Sequence, residues 1–549
     1  MNRLLVAAGC FVVLNVSTVH AGTSLFLGKT VDGWRKELNN PDASVRRSAA
    51  FALGRMGEEA RGAVSQLVRR LHEDTDAGAR DMAASAIGDI ARALQNNNAT
   101  VWEKSGGILL KLLKDDPSER VRRSAAYALG VFGPQAAGAV EALIKALRDA
   151  DASVRQNAAW ALGQIGEVAS ESVSKLCECL SDKDTLVRRD AAGALGALGK
   201  AAEKAGRPLI ELVKSEQDTV VKKTALETLA HIAGPDQAGY AKDLVPLLDD
   251  KDPEARLSAA LVLARIGGEE SANALPVLKT ALKDTDPHIQ ELATAALATL
   301  GPLAKPAIHD LADALTDANN TVVVRRNAAL ALSHIGAEAK PVVPALVKAL
   351  QRSQPLEVRQ FAAEALAQMR YPANEEGVPA IVEAINKDSD PLVRQKCVWA
   401  LFTLSSVEKF REVGADKVLE KLLDEKGERT ALLRYDAARK LANVLREEAP
   451  SRTADVLLEM LTNTQLKVYN RTDARVEGAG TEATVGRANV QANLGGDARY
   501  MAVQALSWLG DKAAKRPDVA RALRKAAKDG DAKLKSTAKE ALKDLGIKE

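Results

Sequence analysis

Side chains able to do catalytic chemistry are few in this chain and lie far apart along it. There is one adjacent His-Glu pair, His72-Glu73, among six histidines in all. A two-metal centre of imidazole and carboxylate ligands needs several such groups converging on one point. Gly28-Lys29-Thr30 matches the end of a phosphate-binding loop, but no glycine stands at the earlier position that the loop requires. Gly478-x-Gly480-x-x-Ala483 echoes a dinucleotide fingerprint without the strand-helix setting that must flank it. No Gly-x-Ser-x-Gly nucleophile elbow occurs. Cys177 and Cys179 lie two apart on a predicted helix and point to different sides. Of the four cysteines, Cys10 lies in the leader-like residues 1–21; without it these two and Cys397 make an odd number, which does not fit a disulfide framework, and they read as buried free thiols. No catalytic residue, metal site or cofactor is expected from these groups.

Binding chemistry is better placed. Aromatic residues are only 3% of the chain, so their positions carry information. Phe51, Tyr127, Trp160 and Trp399 fall at one offset within a recurring segment. Arg47, Arg123, Arg189, Lys223, Arg326, Tyr435 and Tyr500 fall four residues earlier in it, and Trp508 falls four residues later. Residues four apart share one face of a helix. Trp, Tyr and Arg are also the types that dominate binding hot spots. These twelve residues are the candidate partner-binding set, and the recurring segment is what must position them.

That segment is Val45-Arg46-Arg47-Ser48-Ala49-Ala50-Phe51-Ala52-Leu53-Gly54-Arg55-Met56-Gly57. It returns at Val121, Val154 and Val187, and in looser copies at Ala79, Val221, Ala255, Ile289, Val324, Val358, Val393, Leu433, Ala498 and Leu534. About fourteen units result, mostly 33 to 35 residues apart. A fixed period of this length means stacked supersecondary units instead of one globular core.

Each unit reads as two helices. The first is variable, as in Ala136 to Arg148, with apolar residues at helical spacing. A polar turn follows, often with Asp three residues before the motif valine: Asp42, Asp151, Asp184, Asp218, Asp252, Asp286, Asp390 and Asp531. That Asp suits the N-cap of the second helix. The Arg after the valine (Arg46, Arg122, Arg155, Arg188, Arg325, Arg359, Arg394) is expected to pair with this Asp or with the next repeat's, forming a structural ladder. Motif positions one, five, nine and twelve form the core stripe. Glycine at position ten, as in Gly130 and Gly163, implies close backbone contact with a neighbouring helix. Glycine at position thirteen, as in Gly133 and Gly166, suits a left-handed C-cap.

The pattern Asp-x-x-Val-Arg-x-x-Ala-Ala-x-Ala-Leu-Gly-x-Ile-Gly, clearest at Asp151 to Gly166 and Asp42 to Gly57, resembles the HEAT repeat, in its short phycobilisome-lyase-type variant. The resemblance runs from about Val31 to Gly546. It implies an all-α fold, a right-handed α-solenoid in which the second helices line a concave surface. Positions three, seven and eleven would then face that surface. Gln290 in place of the motif Arg, and the loose copies at Leu433 and Ala498, depart from the pattern. Deoxyhypusine hydroxylase is similar in repeat design, but that family holds two irons through several His-Glu pairs, and this chain has one. His231 and His334 share a motif position about three repeats apart, too far to share a metal at roughly 10 Å per helix layer. An enzyme or enzyme subunit of the lyase or hydroxylase type is the disfavoured alternative, because a repeat does not transmit an activity.

The ends and interruptions complete the organisation. Residues 1–21 read as a secretory signal: Arg3, an apolar run from Leu4 to Val16, and Val19-His20-Ala21 before Gly22. The expected location is therefore extracytoplasmic, periplasmic or secreted. No later stretch is a transmembrane candidate. The repeat solenoid spans 22–461, and a polar insertion, loop or hairpin, spans 462–497. There Leu466 to Tyr469 and Thr484 to Val490 have strand character, with Gly478-Ala479-Gly480 as a turn. The last two repeats and a C-terminal cap fill 498–549, where Lys525, Lys528, Lys533, Lys535, Lys539 and Lys543 alternate with acids as a solvated surface. A formal net charge of +3 offers no argument for nucleic acid. The expected function is a non-catalytic scaffold whose concave groove holds a protein or peptide, extended or acidic; an envelope glycan is the further possibility.

Overall fold

The computed structural model describes residues 25–234, 239–427, 430–463, 476–478, 481–483 and 499–548. It is built of helix pairs in two compact units, 1–268 and 269–549. The proposed leader lies outside the described residues. So do the strand candidates Leu466 to Tyr469 and Thr484 to Val490. Within the insertion, Val476–Gly478 and Thr481–Ala483 pair antiparallel, with Glu477 opposite Glu482. No described helix is long and apolar enough to cross a membrane.

In the first unit the second helices are Ala43–Met56, Ala77–Leu94, Glu119–Val131, Ala152–Ile165, Thr185–Ala197, Thr219–Ile232 and Pro253–Ile266. All eight aspartates expected to cap second helices do so in the two units. Asp184, for example, accepts from the backbone N–H groups of Leu186 (2.9 Å) and Val187 (3.2 Å). Helices end where position thirteen turns left-handed: Gly133 has φ 57° and Gly166 φ 75°, a region that only glycine enters without strain. The chain then runs through a 3-10 stretch, Gly133–Ala139, before the first α-helix proper, Val140–Ala146. The first helix thus starts later than its sequence period suggests. The extra residues between Arg92 and Gly107 are absorbed by longer helices, Ala77–Leu94 and Ala99–Asp115.

The arginine ladder exists, with a different partner from the one expected. From Arg46 to Arg188, each of these arginines reaches the acidic residue two places before the next N-cap. Arg46 pairs with Asp74, both nitrogen–oxygen distances being 2.7 Å; Arg80, Arg122 and Arg155 take Asp116, Asp149 and Asp182, and Arg188 takes Glu216. The same carboxylate accepts the backbone N–H of the next N-cap residue, as Asp149 does from Asp151 at 3.0 Å. The guanidinium's other arm donates to its own turn, Arg122 Nη1 to Asp116 O (2.9 Å) and Pro117 O (3.2 Å). One planar fork therefore ties two consecutive turns. In the second unit Arg359 repeats the device with Asp388; Arg394 pairs with Glu425, which lies farther before the next N-cap, Arg325 donates to Leu315 O and to the amide of Gln354 instead of an acid, and Gln290 donates to its own turn at Asp284 O.

Glycine at position ten is explained by contact with position eight of the next repeat. A Cβ at Gly163 would lie 2.9 Å from Ala194 Cα, and at Gly54 3.0 Å from Ala86 Cα. The first is nearer than real Cβ atoms approach backbone and the second is at the edge of that range, so the helices sit at glycine spacing. In the second unit the same places hold Ala298, Ser333, Ala367, Phe402, Ala442 and Ser507. At Phe402 the pattern breaks. Helix Pro391–Ala400 stops early, and Lys440, at position eight of helix Ala431–Leu445, is fully buried. Its ammonium donates to Phe402 O (3.1 Å) and Leu404 O (2.7 Å), between the rings of Phe402 and Phe410. These are carbonyls that a helix end leaves without partners.

Candidate functional site

Positions three, seven and eleven line the solvent-facing side of the second helices, as their spacing requires. In the first unit, neighbouring second helices make more extensive contacts than neighbouring first helices. A stack packed tighter on one side bends toward that side, which makes this layer the inner one within the unit.

On that layer two predicted residues meet. Tyr127 and Trp160 stack, with ring centroids 5.7 Å apart and planes at 17°. Position-ten glycines receive both rings: Cβ atoms at Gly88 and Gly130 would lie 2.7 Å from Tyr127 Cε1 and 2.6 Å from Trp160 Cζ3. The Arg92 guanidinium lies 5.0 Å from the Tyr127 ring centre, and Tyr127 Oη donates to Asp89 at 2.9 Å. Burial, reinforced by the Asp89 charge, holds the Tyr127 phenol above its ordinary value. Sequence reasoning missed Asp89 because only basic and aromatic residues were sought at position eleven.

The basic residues at position three are largely engaged within the protein. Arg47 forms a bidentate pair with Asp76 (2.8 and 2.9 Å), Arg123 meets Asp81 at 3.3 Å, Arg189 meets Asp190 at 2.7 Å, and Lys223 pairs with Glu254. Arg326 bonds Asn327 at 3.4 Å. The expected preference for an acidic segment loses its footing here, since each of the first four cations already faces a carboxylate. Phe51 stays half exposed, at 49%, with its edge toward Phe26.

In the second unit the predicted residues divide. Trp399 Nε1 donates to Asp436 at 2.8 Å, and Gln395 reaches the same carboxylate at 2.7 Å. Tyr435 is buried, its hydroxyl 3.3 Å from Glu459. Tyr500 and Trp508, at positions three and eleven of helix Tyr500–Trp508, instead line an open cleft of ≈ 910 Å³. Opposite them stand Glu540 and Asp544, positions seven and eleven of the last repeat, with Lys533 3.8 Å above the Tyr500 ring. These polar partners share the motif offsets of the aromatics, so that signal was present in the sequence.

Comparison with known proteins decides the family. The sequence model described as HEAT repeats matches residues 31–100, 107–196, 140–230, 206–298, 241–333 and 343–442. The chain belongs to the HEAT-repeat family. A PBS lyase HEAT-like repeat also matches, over residues 324–352. Among solved structures, the HEAT chain is similar to an engineered protein (27% identity, TM-score 0.45, covering 76% of this chain and 98% of that one). It is also similar to importin beta (15% identity, TM-score 0.47, covering 94% and 74%). No curated protein matches it. The α-solenoid thus rests on the helix pairs and the family match together. The matched HEAT residues end at 442, and most of the lining of the cleft at Tyr500 and Trp508 lies beyond them. The three described cysteines are free thiols, with Cys179 and Cys397 buried; burial pushes the Cys179 thiol up to about 11, unsuited to nucleophilic work.

Proposed function

We propose that this HEAT protein is a non-catalytic scaffold that works outside the cytoplasm and holds a protein or peptide against the inner layer of its second helices. The observation that carries the reading is the Tyr127–Trp160 stack flanked by Arg92 and Arg123, a rigid aromatic and cationic platform on a face otherwise built of small and polar side chains. Such platforms supply contact area at little entropic loss. The partner is not assigned a charge, because Arg47, Arg123, Arg189 and Lys223 are already paired. The extracytoplasmic setting rests on the leader-like residues 1–21.

The test is photo-cross-linking from Phe51 and Arg123, both exposed enough to accept a cross-linker, in intact cells followed by mass spectrometry. One reproducible protein, lost when Arg123, Tyr127 and Trp160 are replaced together, is the expected result. The triple variant must retain wild-type helicity, since Tyr127 and Trp160 also pack between repeats. A partner still captured by a folded triple variant would remove this face from the reading. Recovery of the chain solely from the cytoplasmic fraction, with residues 1–21 intact, would remove the location.

A further inference from the structure

The chain has five tryptophans, and four of them are committed inside the protein. Trp34 donates its indole N–H to Phe26 O at 2.8 Å, Trp102 packs on Phe132 at 5.2 Å, Trp160 stacks on Tyr127, and Trp399 bonds Asp436. Trp508 differs. Among the described residues no ring or cation covers it, and no acceptor meets its N–H, although it is only half-buried and lines an open cleft of the second unit. Its volume, ≈ 910 Å³, is of the size that small-ligand clefts reach, roughly 300–1,000 Å³.

The lining says which ligand chemistry fits. Lys533 and Arg446 bring positive charge; Glu540, Asp544 and Glu447 bring negative charge. Among the described residues no ion pair engages Glu540, Asp544 or Arg446, so these groups remain available to a ligand. An anion would face three carboxylates, and a cation would face the ammonium and the guanidinium. A neutral ligand meets neither penalty. Gln504, Ser507 and Thr537 add groups that both donate and accept. A ligand bearing hydroxyls on successive carbons can donate to the carboxylates and accept from Lys533. Its C–H face can lie on an indole, a large flat surface with a polar edge.

We infer that the cleft at Tyr500, Trp508, Lys533, Glu540 and Asp544 binds a neutral saccharide, with Trp508 as the stacking platform and Glu540 and Asp544 as hydroxyl acceptors. Tyr500, on the same helix as Trp508 and held under Lys533, extends that wall of the cleft. This site is separate from the platform at Tyr127 and Trp160, and it stands whether or not that platform holds a protein.

The test uses the full chain after any leader is removed. Neutral hexasaccharides of glucose, xylose, mannose and N-acetylglucosamine are titrated by calorimetry and by ligand-observed NMR. At least one is expected to bind, at least tenfold more weakly to Trp508→Ala and severalfold more weakly to Glu540→Gln/Asp544→Asn. The double variant changes exposed side chains only, so it reads the site even where Trp508→Ala alters folding. Trp160→Ala, when folded, leaves saccharide binding unchanged. The inference is overturned if none of the four binds, if binding survives both variants, or if only sulfated or uronic oligosaccharides bind. It is equally overturned if the cross-linked protein partner maps to Trp508 and no saccharide competes with it.

Discussion

Tyr127 with Trp160, from two consecutive repeats, and Tyr500 with Trp508, from one, are the same residue types on the same face of the second helices, yet one pair is closed and the other open. The first two rings lie flat on each other, received by Gly88 and Gly130 of the preceding repeats. The second two stand at positions three and eleven, where no preceding glycine makes a slot, and an open cleft separates them from the last helix. Whether an aromatic is seated flat as a rigid platform or left standing beside an open cleft is decided by the neighbouring repeat, not by its own helix. Comparable side chains can therefore offer a packed, preorganised face in one region and an open cleft in another.

Replacing each tryptophan separates the two roles. Trp160→Ala removes a stacked ring seated on a glycine and is expected to destabilise the first unit by about 3 kcal/mol. Trp508→Ala removes a half-buried ring that has no stacking partner and is expected to lose less, about 1 kcal/mol. Hydrogen exchange resolved by repeat is the suitable measurement, because stacked repeats need not unfold in one step. Equal losses for the two variants would erase the distinction.

Position eight offers a second contrast. In the first unit Ala86, Ala128, Ala161 and Ala194 stand there packed on glycine; in the second the position includes the buried Lys440. Burial lowers the Lys440 amine to about 7, while the two carbonyls it meets favour the charged form and limit the drop. From about pH 7 up to the ordinary lysine value near 10.4, the unfolded chain keeps a proton that the folded chain has shed. Stability of the second unit therefore rises with pH across that window and is flat, in this contribution, below it. Relative to Lys440→Met, wild type should gain about 2–3 kcal/mol between pH 8 and 10, at about 1.4 kcal/mol per unit for one proton. Parallel urea melts of the two proteins over that range, with no divergence, would show an amine that titrates normally.

The glycine slot itself can be filled. Gly130→Ala gains roughly 1 kcal/mol of helix propensity. It also places a methyl 2.8 Å from Ala161 Cα, a backbone atom that cannot swing away. The net expected loss is about 2 kcal/mol. Gly138→Ala, where nothing lies within 4 Å, is the matched control and should lose nothing measurable. A neutral Gly130→Ala in thermal melts would mean that the helices do not hold glycine spacing.

Much of this architecture is readable from spacing alone, because its causes are local. An Asp three residues before a helical valine caps that helix whatever the rest of the chain does, and all eight do. The close contact implied by glycine at position ten is likewise present. What failed was contact across repeats. The arginines were assigned to the capping aspartates, whereas they take the acid two places earlier, although Asp149-x-Asp151 and Asp182-x-Asp184 display that acid in plain view. The position-three cations looked free because their partners sit in other repeats or beside them: Asp76 for Arg47, Glu254 for Lys223. The cleft at Trp508 was invisible for the same reason, since it needs two helices and the connection after Leu445 to exist.

The ladder gives the smallest effect and the sharpest acid signature. Arg122 ties its own turn to Asp149 of the next repeat, and Arg122→Ala is expected to lose about 1.5 kcal/mol of local stability. Burial alone would raise the Asp149 carboxyl; the hydrogen bonds from Arg122 and from the Asp151 N–H outweigh it and hold the group below its ordinary value. A depressed carboxyl contributes stability that is complete above its unfolded value, near 3.9, and is lost as pH falls through the lower folded value. Wild type should therefore weaken relative to Arg122→Ala below about pH 4, with the two converging in strong acid. Arg122→Lys, which keeps the charge but not the fork, should fall between them. Exchange rates around Asp149 that respond to acid identically in all three proteins would leave the ladder as geometry without energetic consequence.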